Sequence, residues 1–355
     1  MWAPSDIAYS LFRPLLFRID PERAHRLTLA LLRHAPALGS QHDPPELRTS
    51  AFGVSFSNPV GLAAGMDKNA IALEAWERIG FGFAEIGTIT PRPQTGNPRP
   101  RIWRLLAHHA LVNRMGFPSD GIDKVATRLQ QIGTGTSRIA IGANLGPNRD
   151  TPLPQVPEDY AVLVRSLANT CEFIVVNISS PNTPGLRDFQ APERMRAVIE
   201  TIQRTCREMG VTPPLLIKIA PDLDPAMIAE ISAAALELGL AGIVATNSSL
   251  AHAELGVFSP FEGGLSGEPL KLRSREVIAT MYRLSGGRIP IIGVGGVASA
   301  EDAYGHIRAG ASLIELYTGL IYQGPGLVGR IKTGLCTLLQ RDGFRSVSDA
   351  VGSAA

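Results

Sequence analysis

A chain of 355 residues with 45% hydrophobic and 19% charged side chains can bury a large core, as one big domain or two ordinary ones. Its 34 basic and 32 acidic residues sum to +2, a balance that argues against a nucleic-acid surface and leaves small anionic ligands open. Three cysteines, Cys171, Cys206 and Cys336, lack the spacing of a zinc site or a redox pair, and no stretch has the length and lack of charge of a membrane-spanning helix.

The start, with Asp6 and Arg13 close together, lacks a signal-peptide pattern, and the sparse cysteines suit a reducing cytosol. Residues 1 to about 48 read as a unit of their own. Ile7, Leu11, Phe12, Leu15, Leu16 and Ile19 recur at spacings that allow one apolar helix face, with Pro14 set to start or bend the helix. Asp20-Pro21-Glu22 reads as a second helix start, with Asp20 as cap and proline in the first turn. This helix carries His25, Leu27, Leu29, Leu31 and Leu32 and is expected to stop near Pro36. Arg13, Arg18, Arg23, Arg26 and Arg33 accompany the pair. Such a mixture suits a membrane surface. A helical cap packed on the main domain fits the same pattern, and on the pattern alone it is the stronger reading.

From residue 59 the rhythm changes. Apolar strand-like runs recur at Val60–Ala64, Phe83–Ile86, Ile139–Ala143, Phe173–Val176, Leu215–Ile219, Gly242–Ala245, Pro290–Val294 and Ser312–Leu316. Between and after them lie helix patterns at Ile71–Ile79, Ile122–Gln131, Asp159–Asn169, Glu193–Met209, Ala226–Leu238, Leu272–Leu284, Ala300–Ala309 and Leu327–Leu339. Strands each followed by a helix predict an α/β fold, a closed (β/α)8 TIM barrel with a small N-terminal two-helix extension; an open doubly wound sheet is the rival. The expected units are the extension, 1–48, the barrel, 49–343, and a small polar tail, 344–355, that frays. Two connections, Pro91–Phe117 and Asn247–Pro269, are long enough to be insertions over the C-terminal mouth.

Polar residues awkward inside a core gather at the strand ends: Lys68, Thr88, Asn144, Asn177, and Thr246-Asn247-Ser248. Lys218 falls inside Leu215–Ile219, where burial costs several kcal/mol unless an anion meets it, so it is expected to face a ligand. The loop Asn177–Arg187 follows a buried strand and holds two serines, two asparagines and a threonine between prolines and a glycine. Alone it reads equally as a well-made turn or an active-site loop. Gly293-Val294-Gly295-Gly296 and Tyr317-Thr318-Gly319 follow the last two strands, where barrels bind phosphate through backbone N–H groups. A monophosphate tail fits this placement, since there is neither a Walker loop nor a GxGxxG after the first strand. No metal site is expected: His108 and His109 are adjacent, with no HExxH or cysteine cluster, and read as surface or loop residues.

Several pieces in this order resemble the class 2, quinone-dependent dihydroorotate dehydrogenases: Gly65-Met66-Asp67-Lys68, Glu85-Ile86-Gly87-Thr88, Asn113-Arg114-Met115-Gly116-Phe117, Asn177–Arg187, Lys218-Ile219-Ala220-Pro221-Asp222, Ala245-Thr246-Asn247 and Gly264-Leu265-Ser266-Gly267. The resemblance runs over nearly the whole chain, Asp20-Pro21-Glu22-Arg23-Ala24-His25 included. Met66 stands where leucine is frequent and Ser248 where threonine is. The family implies one FMN per chain and oxidation of (S)-dihydroorotate to orotate with a membrane quinone as acceptor, the fourth step of de novo UMP synthesis.

Carried over by position, Ser180 is the base that takes the C5 proton while a hydride leaves C6, with Thr183 or a trapped water as relay. Lys68, Asn113, Arg114, Met115, Gly116, Phe117, Asn177, Asn182, Asn247 and Ser248 are the implied substrate residues. Ala64, Gly65, Met66, Asp67, Lys68, Thr88, Asn144, Asn177, Lys218, Thr246, Gly267, Gly296, Tyr317 and Thr318 are the implied FMN residues. His25, Arg104 and Tyr317 are placed near the quinone. Class 1 relatives use cysteine as the base, whereas all three cysteines here fall outside the loop. The resemblance therefore turns the extension into a quinone tunnel at a bilayer surface. It implies a monomer held peripherally on the cytoplasmic face of the cell membrane if the source is bacterial, with no nucleic-acid partner. The rivals are a soluble flavin barrel using fumarate or NAD, a non-catalytic phosphate-ligand barrel, and a flavin-dependent RNA-reducing barrel.

Overall fold

The structure, a computed structural model, describes residues 4–33, 43–132 and 139–355. It opens with two helices, α1 (Pro4–Arg18) and α2 (Pro21–Leu32), and Pro14 stands inside α1 without ending it. Asp20 caps α2 as its residue type predicts, its Oδ1 accepting from the Arg23 N–H at 2.9 Å. The expected stop near Pro36 lies outside the described residues. Leu11, Phe12, Leu15, Leu27 and Leu31 are exposed, so polar ties also help hold the pair to the body. Tyr9 Oη donates to Ile321 O at 2.5 Å, Arg13 donates to Tyr322 O at 2.8 Å, and Glu22 accepts a two-nitrogen fork from each of Arg99 and Arg101.

A short antiparallel hairpin, β1 (Thr49–Ala51) and β2 (Val54–Phe56), precedes the barrel. The barrel begins with β3 (Val60–Leu62), α3 (Leu73–Ile79) and β4 (Phe83–Ile89). An insertion then supplies β5 (Ile102–Leu105) and β6 (Ala110–Asn113). There follow α4 (Ile122–Ile132), β7 (Ala140–Leu145), α5 (Val156–Leu167), β8 (Phe173–Asn177), α6 (Pro192–Met209), β9 (Leu215–Ile219), α7 (Pro225–Glu237) and β10 (Gly242–Ala245). After a second insertion with β11 (Gly264–Gly267) come α8 (Lys271–Ser285), β12 (Ile291–Val294), α9 (Ala300–Arg308), β13 (Ala311–Leu316), α10 (Thr318–Gln323) and α11 (Leu327–Asp342). The predicted strands close into one parallel barrel in the order β3-β4-β7-β8-β9-β10-β12-β13. Short α10 was not expected; it occupies the loop after β13.

These strands are apolar on both faces because one lines the barrel and the other packs on helices. On β9, Leu215, Ile217 and Ile219 join the cluster shared with the helices, while Leu216 joins an inner cluster with Phe83, Phe173, Val175, Val244, Ile292 and Leu313. Phe52 and Phe56 of the hairpin pack on Phe173 and Phe83, with centroids 5.2 and 5.4 Å apart, and close the lower end. Gly61 has to be glycine there, since a Cβ would sit 2.1 Å from the Phe83 ring.

The two insertions pair with each other. β6 is flanked antiparallel by β5 and β11, giving a small sheet whose Trp103 stacks on Phe261 at 4.7 Å. The reading of 344–355 as a frayed tail is corrected: Val347 and Ala350 are fully buried, and backbone bonds tie Val347 N–H to Glu46 O at 2.8 Å and Ala354 N–H to Arg308 O at 2.8 Å. Small apolar residues placed among polar ones gave that segment a mixed composition, yet enough area to dock.

Candidate active site

Strand alternation decides what stands at the barrel mouth. On five strands a polar residue stands two above an inward apolar one: Glu85 above Phe83, Asn177 above Val175, Lys218 above Leu216, Thr246 above Val244, and Glu315 above Leu313. Asn177, Lys218, Thr246 and Glu315, with the loops beyond them, line one cleft.

Its wall is built of amide and hydroxyl hydrogen bonds. Thr88 Oγ1 donates to Asn144 Oδ1 at 2.6 Å, and Asn177 Nδ2 donates to Thr88 Oγ1 and Asn144 Oδ1, both at 3.1 Å. Asn247 Nδ2 donates to Ser179 Oγ at 3.1 Å, and Asn182 Nδ2 to Asn113 Oδ1 at 3.1 Å. Ser180 is buried, and its Oγ accepts from the Asn182 N–H at 3.3 Å. Arg187 fastens this loop from behind, donating to Ser179 O at 3.2 Å, Ser248 O at 3.0 Å and Asp222 Oδ2 at 2.8 Å.

Lys218 does meet carboxyl groups, and they belong to the barrel. Its Nζ lies 3.1 Å from Glu85 Oε1 and 3.5 Å from Glu315 Oε2. Burial alone would pull the lysine down, but the two carboxyl groups outweigh it and hold the ammonium above its ordinary value. Lys68 Nζ donates to Gly65 O at 2.5 Å, and burial brings its pKa down to about 8. At the far end, Gly295, Gly296, Thr318 and Gly319 line the cleft. A Cβ on Gly296 would lie 2.6 Å from Lys271, so only glycine lets this loop pass, and Thr318 and Gly319 open α10 with N–H groups that have no partner within that helix. This end is a backbone cradle suited to an anion.

A second, apolar cavity lies under α1 and α2. Leu16, Phe17, Leu31, Met66, Trp76, Ile102 and Leu320 line it with His25, Arg104 and Tyr317. Burial, reinforced by the neighbouring Lys68 charge, lowers His25 to about 3, so its imidazole is neutral at physiological pH. Arg104 rests 4.8 Å over the Phe17 ring and donates to Ile19 O at 2.9 Å. Tyr317 borders both cavities.

The cleft gathers Ser180 and most of the expected ligand residues, namely Ala64, Gly65, Lys68, Thr88, Asn113, Met115, Gly116, Phe117, Asn177, Asn182, Lys218, Thr246, Asn247, Ser248, Gly267, Gly296, Tyr317 and Thr318. Four expected residues stand elsewhere. Met66 turns into the apolar cavity. Asp67 is spent on structure, accepting from the N–H groups of Ile71 and Ala72 and from the Trp76 indole. Arg114 lies 5.4 Å over Trp103. Asn144 sits behind Thr88 and Asn177 and also donates to Glu85 Oε1 at 2.6 Å. Glu85 and Glu315 were missed as site residues, although an acid inside each apolar strand, at the parity of Phe83 and Leu313, was a readable signal. His108 and His109 are exposed in the insertion, and among the described residues no three His, Cys, Asp or Glu side chains cluster as a metal site.

The profile of the family described as dihydroorotate dehydrogenase matches residues 46–339. Over 347 residues the chain is 47% identical to the dihydroorotate dehydrogenase (quinone) of Anaeromyxobacter dehalogenans (strain 2CP-C), covering 96% of this chain and 95% of that one. The protein of the same name from Cereibacter sphaeroides is 48% identical over 340 residues, 95% of each chain. The crystal structure of DHODH in complex with ferulenol from Eimeria tenella superposes with a TM-score of 0.89 at 39% identity, over 94% of this chain and 95% of that one. Match length, identity and barrel geometry agree, and the chain belongs to the dihydroorotate dehydrogenase family.

Proposed function

We propose that this chain oxidises (S)-dihydroorotate to orotate with FMN as resident cofactor and a membrane quinone as electron acceptor, the fourth step of de novo UMP synthesis. The observation that carries the reading is one shared wall: Tyr317 borders both the polar cleft that holds Ser180 and the apolar cavity under α1 and α2. Electron donor and electron acceptor thus have separate seats. FMN suits the cleft because the Gly296 loop and the opening of α10 offer backbone N–H groups to its phosphate, while Lys218 faces the cleft as a held cation. Gly65, Thr88, Asn177, Lys218, Thr246, Gly267, Gly296, Tyr317 and Thr318 would hold it. When bound it supplies the acceptor for a hydride from substrate C6.

The chain's own residues do the rest. Asn113, Asn177, Asn182 and Asn247 present amides, each both donor and acceptor, as a planar ring with fixed N–H and C=O groups requires. Lys68 adds a cation for the substrate carboxylate. Ser180 Oγ takes the C5 proton, and since serine is a poor base unless its own proton can leave, the buried Thr183 hydroxyl or a trapped water passes that proton on. In the apolar cavity a neutral His25 offers one donor and one acceptor to a quinone. Exposed Leu11, Phe12, Leu15 and Leu31, beside Arg18, Arg23 and Arg26, lay the helix pair on a membrane surface, the cytoplasmic face if the source is bacterial, which suits a peripheral protein. Among the described residues no helix is long and apolar enough to cross a bilayer.

The test is anaerobic mixing with dihydroorotate while flavin absorbance is followed. The parent bleaches, and Ser180→Ala bleaches on the order of a hundredfold or more slower. A variant as fast as the parent removes Ser180 as the base, and a colourless protein that cannot be reconstituted with FMN sinks the whole reading. Deletion of residues 1–40 abolishes turnover with quinone and spares turnover with a soluble dye. Equal turnover with both would overturn the acceptor assignment.

A further inference from the structure

Lys218 on β9 stands between two carboxyl groups in a dry interior, with Glu85 on β4 and Glu315 on β13 both 0% exposed. Two negative charges beside one positive leave an unbalanced charge away from water, which is costly. The hydrogen bonds say which carboxyl gives way. Glu85 Oε1 accepts from Asn144 Nδ2 at 2.6 Å and from Lys218 Nζ at 3.1 Å, as an ionised carboxylate should. Glu315 has no hydrogen-bond partner at either oxygen among the described residues, and Glu85 Oε2 has none. A proton on Glu315 supplies what is missing: it makes one Glu315 oxygen a donor and gives the neighbouring Glu85 carboxylate its partner. Burial and the Glu85 charge both push the Glu315 carboxyl well above the ordinary carboxylate range. The charged groups facing Glu315 are these two; the flanking strands β3 and β12 place Gly61 and Val294 in register with it.

We propose that Glu315 sets the reduction potential of the bound flavin, by carrying a proton at neutral pH and so keeping the cluster behind Lys218 neutral. The proposal rests on the reading of the cleft as an FMN site, and Lys218 and Glu315 both line that cleft. With Glu85 ionised, Lys218 charged and Glu315 protonated, the sum is zero. Once Glu315 gives its proton to solvent the sum is −1, and electrons entering the ring enter beside a negative group. Reduction then becomes harder, and it draws one proton from solvent back onto the Glu315 carboxylate for every two electrons delivered, beyond the protons taken by the ring itself. By linkage, the fall of midpoint potential with pH steepens above the Glu315 titration by that one proton per two electrons.

The experiment measures the midpoint potential of the flavin against pH in the FMN-loaded full chain, parent and Glu315→Gln. The parent profile is expected to steepen on the alkaline side. The variant, already neutral at this position, matches the parent at neutral pH and lacks the added slope. A variant potential clearly above the parent's at neutral pH would mean that a carboxylate, not a carboxylic acid, had been removed, and would overturn the proposal. Coincident profiles at every pH would overturn it too. Should the variant fail to hold flavin, the parent decides alone, since a profile without added slope denies Glu315 the role. A parent that binds no FMN sinks the cofactor reading instead, by its lack of colour, before any potential is measured.

Discussion

At the scale of single residues, Lys218 is where local and distant chemistry meet. A lysine within Leu215–Ile219 announces from the sequence that an anion must face it. The sequence does not name that anion, because Glu85 lies 133 positions away and only barrel closure brings it to 3.1 Å. The same limit applies to Asp67, whose neighbours in sequence suggest a ligand role while its carboxylate is consumed by Ile71, Ala72 and Trp76. Replacing Lys218 by methionine strands Glu85 in the interior. We expect Lys218→Met to lose FMN and about 3–5 kcal/mol of stability, read by denaturant unfolding, and the double variant with Glu85→Gln to recover part of the stability. A double variant no more stable than the single one would show that the pair is not energetically coupled.

At the scale of elements, the loop that carries Ser180 is positioned by Arg187, which reaches three backbone or carboxylate oxygens on three different segments. Arg187→Ala is expected to lower kcat on the order of 10–100-fold by letting Ser180 drift, and Arg187→Lys should not rescue it, because a point cation cannot reproduce the fork. Rescue by lysine would mean that only the charge mattered. A helix start was legible where one residue acts on its own turn, as Asp20 does on Arg23. The sheet over the mouth was not, since β6 pairs with β11 through residues as far apart as Asn113 and Gly264, and each half alone looks like loop.

The docking of α2 rests on Glu22, whose carboxyl, although burial opposes its charge, is lowered from an ordinary value of 4.5 to about 2 by hydrogen bonds from Arg101 and Arg99. A depressed folded-state value means stability that is complete above pH 4.5 and is lost as the pH falls towards 2. Thermal unfolding of the parent should drop through this window, and Glu22→Gln should flatten that part of the profile while weakening turnover with quinone more than turnover with dye. Parallel profiles in parent and variant would remove Glu22 from the acid response.

At the scale of the whole molecule, the barrel was legible because eight apolar runs separated by helical periods leave few topologies open. The closing segment was misread for the opposite reason. Val347 and Ala350 are two contacts in a polar stretch, too few to show periodicity, but both are fully buried and the backbone bond from Val347 to Glu46 ties this segment to the turn before the hairpin. Truncation after Gly343 is expected to cost roughly 3 kcal/mol, from the buried valine and the lost backbone bonds, and to lower the unfolding temperature without shifting flavin absorbance. An unchanged unfolding temperature would restore the frayed reading.

Tyr317 is a party wall between two chambers. On the proposed function, neither occupant has to vacate for the other, so the two half-reactions share one protein without competing for the same berth. An apolar inhibitor lodged under the helix pair should therefore depress the maximal rate without being displaced by saturating dihydroorotate, and steady-state inhibition patterns would register that independence.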